Sequence, residues 1–299
     1  MTQPSKGFVP AYNPAPTAPR RMPPAGSWDT HFHVFEPEDT NAADATAAYS
    51  PFTAPMAALD HMHKTIGMDR GVLIQATSVV PVASRFAAQL KSNPRLCGVA
   101  VMDGNTSDAE LALLNDAGVR GVRFHFASFL KKRPDMAVFL RCVDRIAELG
   151  WHVKVHLETV DIPELAPILA KLPTTVVIDH IGQVRVRDGA EHPGFQSLLA
   201  LHRHEHCWIQ LGNSDRWSAT GAPSYADAVP FGRAVIATAP SRVLWGTDWP
   251  HVMYKDPRAP GDAPPDEADL MNLMFDFADG DDAVLKQVLV DNPLRLYRD

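Results

Sequence analysis

The sequence predicts a single-domain α/β protein, a (β/α)₈ TIM barrel with a proline-rich N-terminal arm. Its 299 residues are enough for one such barrel, which takes about 250 residues or more. Eight short apolar runs recur along the chain, and a stretch with helical spacing follows each run, as in parallel strands joined by crossover helices. An open doubly wound sheet is the competing architecture, but no glycine-rich phosphate loop follows the first run. We therefore expect the strands to close into a barrel.

The N-terminal segment, residues 1–26, carries seven prolines and little apolar periodicity. Proline lacks a backbone N–H and disrupts helices and central strands, so this segment is predicted to be an extended arm on the domain surface. The barrel is predicted to occupy residues 27–299.

The predicted strands are almost continuously apolar, as expected for parallel strands that are covered on both faces. They span residues 28–35, 71–75, 96–102, 119–126, 151–157, 175–181, 207–212 and 243–249.

Helical patterns lie between these strands. Ser107 can cap one of them because Glu110 stands three residues later, as in a capping box, and Gly118 provides the stop. A second pattern is closed by Gly150. The predicted helices span 55–66, 82–91, 107–117, 135–149, 162–171, 195–204, 226–238 and 266–277, and a closing helix in the segment 281–297 is predicted to end near Asn292 and Pro293.

The composition excludes several classes of protein. The chain has 28 Lys and Arg against 35 Asp and Glu, a net charge of −7, so the basic excess typical of nucleic-acid binding is missing. No apolar run approaches the ~18 residues of a membrane helix, and no secretory signal begins the chain. Three cysteines suit reduced thiols in a cytoplasmic protein. A monomer and a homo-oligomer both remain open.

Polar residues end several predicted strands, and function in a barrel lies at the carboxyl ends of its strands. The first run ends in His31 and His33, and residues two apart on a strand point to the same side. Two imidazoles placed in this way can chelate a divalent metal. The alternative is two unrelated histidines, one of them in the core.

Three further strands end in a lone polar residue, which is His156 in the fifth run, His180 in the sixth and Asp248 in the eighth. A buried carboxylate such as Asp248 is unfavourable unless it is paired or bound to a metal. Because a barrel directs all of these ends into one cleft, we expect the three residues to converge there with His31 and His33.

Basic residues near the same ends indicate an anionic substrate. Arg123 ends the fourth run among apolar neighbours, where a guanidinium can bind a carboxylate or sulfonate through two hydrogen bonds. Arg216 follows the seventh run, although it can instead pair with Asp215. Weaker candidates for substrate contact are Tyr49, His251, His125, Lys131 and Lys132, and the histidines predicted to lie on the surface are His61, His63, His202 and His206.

The phrases DTHFHVF, GVRFHF, VIDHIG, WGTDWPH and VDNPLRLY together resemble the amidohydrolase superfamily. They are most similar to its branch of small amidohydrolases that includes 2-pyrone-4,6-dicarboxylate lactonase, sugar-acid lactonases and sulfomuconolactone hydrolase. The resemblance covers nearly the whole predicted barrel. It implies hydrolysis of a small lactone with negatively charged groups at the top of the barrel.

The resemblance also bears on the metal. The pyrone dicarboxylate lactonase, which is regarded as metal-independent, carries a tyrosine where this chain has His156 and an arginine where it has Gln183. With a histidine at that position, His31, His33, His156 and Asp248 resemble the ligand set of the mononuclear members. No lysine or glutamate ends the fourth strand to bridge a second metal. One divalent metal is therefore expected. The types of ligand favour zinc, and manganese is the alternative.

The expected reaction is the opening of a small anionic lactone by metal-activated water. Asp248 is the expected general base, and His180 is expected to orient the water or stabilise the oxyanion. Two alternatives keep the barrel, namely a metal-independent lactonase and a metal-dependent decarboxylase of an aromatic acid. A non-catalytic binding protein is the third alternative, but it predicts a damaged set of site residues and this set is intact.

Overall fold

The computed structural model describes residues 12–130, 133–252 and 264–297. In these ranges eight parallel strands form one sheet, in which each strand pairs with the next one along the chain. The strands are β1 (Trp28–Phe32), β2 (Arg70–Ile74), β3 (Leu96–Val101), β4 (Val119–His125), β5 (His152–His156), β6 (Val176–Ile178), β7 (Cys207–Leu211) and β8 (Val243–Trp245). Each overlaps its predicted run.

The sheet closes between β8 and β1, just beyond the regular strands. The backbone N–H of His33 donates to the carbonyl oxygen of Trp249 at 2.7 Å, and the N–H of Asp248 donates to the carbonyl oxygen of His31 at 2.8 Å. This seam confirms the predicted (β/α)₈ barrel, and it brings Asp248 beside the histidines of β1.

Helices connect the strands on the outside of the barrel, as predicted. The capping box forms at Ser107, whose hydroxyl accepts from the N–H of Glu110 while the carboxylate of Glu110 accepts from the N–H of Ser107. The helices are α1 (Met56–Ile66), α2 (Ala83–Lys91), α3 (Asp108–Asp116), α4 (Met136–Ala147), α5 (Ile162–Leu169), α6 (Pro193–His202), α7 (Ser214–Trp217), α8 (Val229–Thr238), α9 (Glu267–Phe277), α10 (Asp282–Lys286) and α11 (Asn292–Tyr297). Within the described ranges, none of the helices has the length and apolarity to cross a membrane.

The predicted end of the closing helix near Asn292 and Pro293 was wrong, because helical structure continues to Tyr297, although not as one regular α-helix. The residues between α10 and α11, Gln287–Asp291, form a π-helical turn. Pro293 has no N–H to donate to the carbonyl four residues earlier, so the regular α-helical ladder cannot run through this point.

The helices pack on the barrel through apolar faces at helical spacing. On α4 the buried residues are Phe139, Cys142, Val143 and Ile146. The ring of Phe139 packs edge-on against Phe124 of β4, with ring centroids 5.0 Å apart. Truncating such a buried aromatic side chain typically costs about 3–5 kcal/mol of stability.

The amino ends of the strands are sealed by apolar side chains. Tyr297 at the end of α11 stacks on Trp28 of β1, with ring centroids 6.2 Å apart, and both are buried. The barrel is therefore closed at this end.

The described part of the arm, residues 12–26, contains no helix or strand. Arg20 and Arg21 form ion pairs with Asp276 and Asp282 at 2.6 and 2.7 Å. Tyr12 packs on Trp249, with ring centroids 5.1 Å apart. Residues 1–11 of the predicted arm lie outside the described residues.

Candidate active site

A cavity of about 550 Å³ opens at the carboxyl ends of the strands. Its walls combine guanidinium, carboxylate and imidazole groups with apolar and aromatic side chains. The charged and imidazole residues that line it are His33, Arg123, His125, His156, Glu158, His180, Arg185, Arg216 and Asp248. His31 lies directly beneath, fully buried, with its ring centroid 4.5 Å from that of His180.

Hydrogen bonds made by Nδ1 orient the rings of His31 and His33. Nδ1 of His33 donates to the carbonyl oxygen of Ile74 at 2.8 Å, and Nδ1 of His31 donates to a carboxylate oxygen of Asp179 at 3.2 Å. The Nε2 lone pair of each ring therefore remains for another partner. Metal-binding histidines are oriented in the same way, through a hydrogen bond from their other ring nitrogen. Burial, with Arg123 next in effect, lowers the pKa of His33 to about 4 and favours its neutral form.

Two overlapping groups of side chains have the spacing of metal ligands. The ligand atoms of His31, His33 and Asp248 lie within 4.8 Å of one another, and so do those of His31, Asp179 and His180. Nε2 of His31 is buried and has no hydrogen-bond partner among the residues that the structure describes, which leaves its lone pair unsatisfied there. Two imidazole nitrogens and a carboxylate oxygen are a donor set that fits one divalent ion.

Asp179 is the electrostatic centre beneath the cavity. Its carboxylate lies 2.6 Å from Nε of Arg123 and 3.2 Å from Nζ of Lys154, in addition to its contact with His31. Asp179 and Lys154 are fully buried. Burial alone would raise the pKa of Asp179, but Arg123 and Lys154 outweigh it and hold this pKa well below its usual range.

Asp248 faces imidazoles on one side and a guanidinium on the other. Its Oδ1 lies 3.5 Å from Nε2 of His31 and 3.7 Å from Nε2 of His180, and its Oδ2 lies 3.4 Å from Nη2 of Arg216. Burial opposes ionisation, but His180, His31 and Arg216 together hold the pKa of Asp248 well below its usual range. The carboxylate is therefore ionised.

The backbone around the cavity is left-handed at several residues that are not glycine. Asp248 has φ 60°, His180 has φ 51°, Gln183 has φ 53° and Asn213 has φ 57°. L-residues seldom adopt this conformation, and such residues cluster at functional sites. All four lie just after β6, β7 or β8, where they turn their side chains into the cavity wall.

His156 lies in the same cavity but outside both ligand groups. Its Nε2 is 2.9 Å from Nε2 of Gln183, and its Nδ1 is 3.3 Å from Nδ1 of His125. Its role as a fourth metal ligand stays a prediction, because both of its ring nitrogens contact protein groups in this arrangement.

A family model described as amidohydrolase matches residues 28–298, which is nearly the whole barrel. The chain belongs to this amidohydrolase family. The match covers all eight strands and every polar residue of the cavity described above.

Two curated relatives resemble this amidohydrolase over most of their length. A 2-pyrone-4,6-dicarboxylate hydrolase from Comamonas testosteroni is 39% identical over 94% of this chain and 93% of its own. A 4-sulfomuconolactone hydrolase from Hydrogenophaga intermedia is 36% identical over 92% of this chain and 89% of its own. A crystal structure of an Acinetobacter baumannii protein with citric acid bound has a TM-score of 0.77 at 26% identity, covering 91% of this chain and 99% of that one.

The other residues predicted to contact substrate do not all line the cavity. Tyr49 lines the amidohydrolase cavity, and burial of its hydroxyl raises the pKa to about 12. His251 is not part of the described lining. It is buried, and its Nε2 lies 3.1 Å from a carboxylate oxygen of Glu267. Lys131 and Lys132 lie outside the described residues.

The prediction of surface positions was wrong for two histidines. His63 is buried between Asp29 and Arg95, with Nε2 3.1 Å from Asp29 and Nδ1 2.9 Å from Arg95. His202 is also buried, and its Nδ1 donates to the carbonyl oxygen of Cys207 at 3.1 Å. The partners of His63 come from distant segments, whereas that of His202 lies five residues further along the chain. His61 is exposed, as predicted.

Four charged residues of the amidohydrolase site were not predicted from the sequence, which are Lys154, Glu158, Asp179 and Arg185. Lys154 carries a usable signal, because a lysine in the middle of a buried strand needs an anionic partner. Asp179 directly precedes His180 and has the same kind of signal. Arg185 lines the cavity and stacks over the ring of Trp217, but nothing local in the sequence distinguishes it from a surface arginine.

Proposed function

We propose that this amidohydrolase hydrolyses a small lactone that carries carboxylate or sulfonate groups. The observation that carries the proposal is the combination, in one cavity, of an ionised carboxylate beside imidazoles and three guanidiniums, those of Arg123, Arg185 and Arg216. Guanidiniums match carboxylate and sulfonate groups in geometry and charge. The two curated relatives, named for a dicarboxylate and a sulfonated lactone, support the same class of substrate.

Asp248 is the proposed general base. In lactone hydrolysis, the oxygen of water bonds to the acyl carbon, the ring C–O bond breaks, and one proton of the water passes to the leaving oxygen. A carboxylate that is ionised and faces the cavity can take this proton and return it to the leaving oxygen. A substrate anion that engages Arg216 weakens its hold on Asp248, which raises the basicity of the carboxylate when substrate is bound.

His180 is the proposed donor to the oxyanion. Nη2 of Arg123 lies 3.3 Å from Nε2 of His180, and because a guanidinium only donates, this Nε2 accepts. The neutral ring then carries its proton on Nδ1, which is buried and has no hydrogen-bond partner among the described residues. An N–H in this state can stabilise the negative charge that develops on the carbonyl oxygen.

The residues that would hold a divalent ion are His31, His33 and Asp248. We propose zinc, since nitrogen ligands with one carboxylate suit it, and manganese is the alternative. A bound ion of this kind lowers the pKa of water and polarises a carbonyl group.

The test is a substrate panel. Purified protein is assayed for acid release from 2-pyrone-4,6-dicarboxylate, 4-sulfomuconolactone and an uncharged six-membered lactone. We expect kcat/KM for at least one anionic lactone to exceed that for the uncharged lactone by roughly a hundredfold. Absence of acid release, or equal rates on charged and uncharged lactones, would refute the proposal. Release of CO₂ from aromatic acids instead would identify a decarboxylase.

A further inference from the structure

Four side chains of the cavity wall form a continuous chain of hydrogen bonds that the proposed hydrolysis does not use. Nε1 of Trp217 lies 3.1 Å from Oε1 of Gln183, and Nε2 of Gln183 lies 2.9 Å from Nε2 of His156. Nδ1 of His156 then lies 3.3 Å from Nδ1 of His125. All four residues line the cavity.

The indole at the start fixes the direction of the whole chain. The indole N–H of Trp217 can only donate, so Oε1 of Gln183 accepts and its amide nitrogen donates to His156. Nε2 of His156 therefore holds a lone pair, and its proton is on Nδ1. That proton is donated to Nδ1 of His125, which leaves the proton of His125 on Nε2. Each contact needs a lone pair on one imidazole, so both rings are neutral.

The chain ends in a donor without an acceptor. Nε2 of His125 is buried and has no hydrogen-bond partner in the described part of the chain. A buried N–H without an acceptor is unfavourable. The ring of His125 borders the cavity and is only 6% exposed. An oxygen atom of a bound molecule would satisfy this group.

We propose that this chain makes His125 a specificity residue, whose Nε2–H donates to an uncharged carbonyl or ring oxygen of the substrate. The anionic groups of the same substrate bind the guanidiniums instead, because the four side chains of the hydrogen-bonded chain carry no charge. The proposal rests on the proposed lactone hydrolysis for the identity of the substrate. It also assigns His156 to the chain and not to a metal, since Gln183 occupies the lone pair on Nε2.

The first test is spectroscopic and needs no activity. In protein labelled with ¹⁵N-histidine, two-bond ¹H–¹⁵N spectra distinguish the Nδ1–H and Nε2–H tautomers, and His125→Phe and His156→Phe assign the signals. We expect Nδ1–H for His156 and Nε2–H for His125. In Gln183→Glu the carboxylate accepts from both neighbours, so both tautomers should invert. Charged imidazoles near neutral pH, or tautomers that Gln183→Glu leaves unchanged, would overturn the chain.

The second test asks whether Gln183 acts through His125. Gln183→Met and His125→Phe are each expected to raise KM for the best lactone about tenfold, with kcat changed less than about threefold. The double variant should match His125→Phe alone, because a positioning residue has no effect once its target is gone. Gln196→Met, an exposed position outside the cavity, is the control and should leave KM unchanged.

Additive effects in the double variant, or an equal loss in kcat, would overturn the role in specificity. If the wild-type protein hydrolyses no lactone, the proposed function fails, whereas the tautomer spectra still decide whether the chain exists.

Discussion

Nη2 of Arg216 lies 3.4 Å from Oδ2 of Asp248, and the same nitrogen donates to the carbonyl oxygen of Val252 at 2.7 Å. Arg216 therefore both lines the cavity and helps to keep Asp248 ionised. Under the proposed function a substrate anion and Asp248 would compete for one guanidinium, and we therefore predict that substrate binding and activation of the base are coupled through this contact.

Replacing Arg216 tests this coupling. Because Arg216 helps to lower the pKa of Asp248, Arg216→Gln should raise that pKa. The acidic limb of the profile of kcat/KM against pH should then move to higher pH by about one unit. KM should rise about tenfold or more. Rates measured across a pH series give both quantities. Arg187→Gln, on an exposed arginine, is the control. An acidic limb that does not move would refute the coupling.

The role of Asp248 itself is tested by Asp248→Asn. A general base contributes roughly 10²–10⁴ to the rate, and the amide cannot accept the proton from water, so turnover should fall at least about a thousandfold. The fold should persist, which circular dichroism and a melting curve check. Asp116→Asn, on the exposed end of α3, should keep full activity. Near-normal kcat in Asp248→Asn would remove this residue from the mechanism.

The ligand set is tested by metal content, independently of activity. We expect about one divalent ion per chain in protein purified without chelator, measured by elemental analysis. His33→Asn should lose most of it, while His156→Asn should retain it, because His156 lies outside both ligand groups. Loss of metal in His156→Asn would restore this residue as a ligand and contradict the hydrogen-bonded chain. Activity before and after chelation then decides between a metal-dependent and a metal-independent lactonase.

The fold was predictable because local signals and the global pattern agree. Each strand is an apolar run, and caps such as Ser107 mark the helix boundaries where the structure has them. The prediction was wrong at the closing helix, because Pro293 does not end it but lies in the first turn of α11, directly after a π-helical turn. The apolar spacing over 281–297 continues through this point, so periodicity alone cannot show the π-helical turn.

The site was predictable in part, for a geometric reason. His31 and His33 follow the alternation of a strand, so their common direction could be inferred. β6 ends at Ile178, and the backbone then becomes left-handed from His180 onwards, so strand alternation no longer indicates where side chains point. The contact of Asp179 with Lys154 and Arg123 depends on the register in which the neighbouring strands β4, β5 and β6 pair, which the apolar pattern does not specify. Such partners become visible only once the strands are paired in register.

Lys154 provides a test of the buried network that does not involve substrate. Its ammonium group is fully buried against Asp179 and donates to the carbonyl oxygen of Thr30 at 3.3 Å. Lys154→Met keeps the length of the side chain but removes one cation from a buried carboxylate, which should lower the free energy of unfolding by about 3 kcal/mol. Urea unfolding measures this, with Lys171→Met on an exposed lysine as the control. A loss below about 0.5 kcal/mol would show that Arg123 alone satisfies Asp179.

The stability of the protein should fall in mild acid, and His202 should account for part of the loss. Burial lowers the pKa of His202 to about 4 in the folded chain, from 6.5. Between these two values the unfolded chain binds the proton more tightly, so the free energy of unfolding decreases as pH falls from about 6.5 to about 4. At 1.36 kcal/mol per pKa unit, this residue contributes up to about 3 kcal/mol to the decrease. His202→Asn keeps a donor for the carbonyl oxygen of Cys207 but does not titrate. In urea unfolding at several pH values, the variant should be less stable than the wild type near neutral pH and should lose less stability on acidification. Parallel stability curves for the two proteins would show that His202 is not protonated on unfolding, and would contradict the prediction.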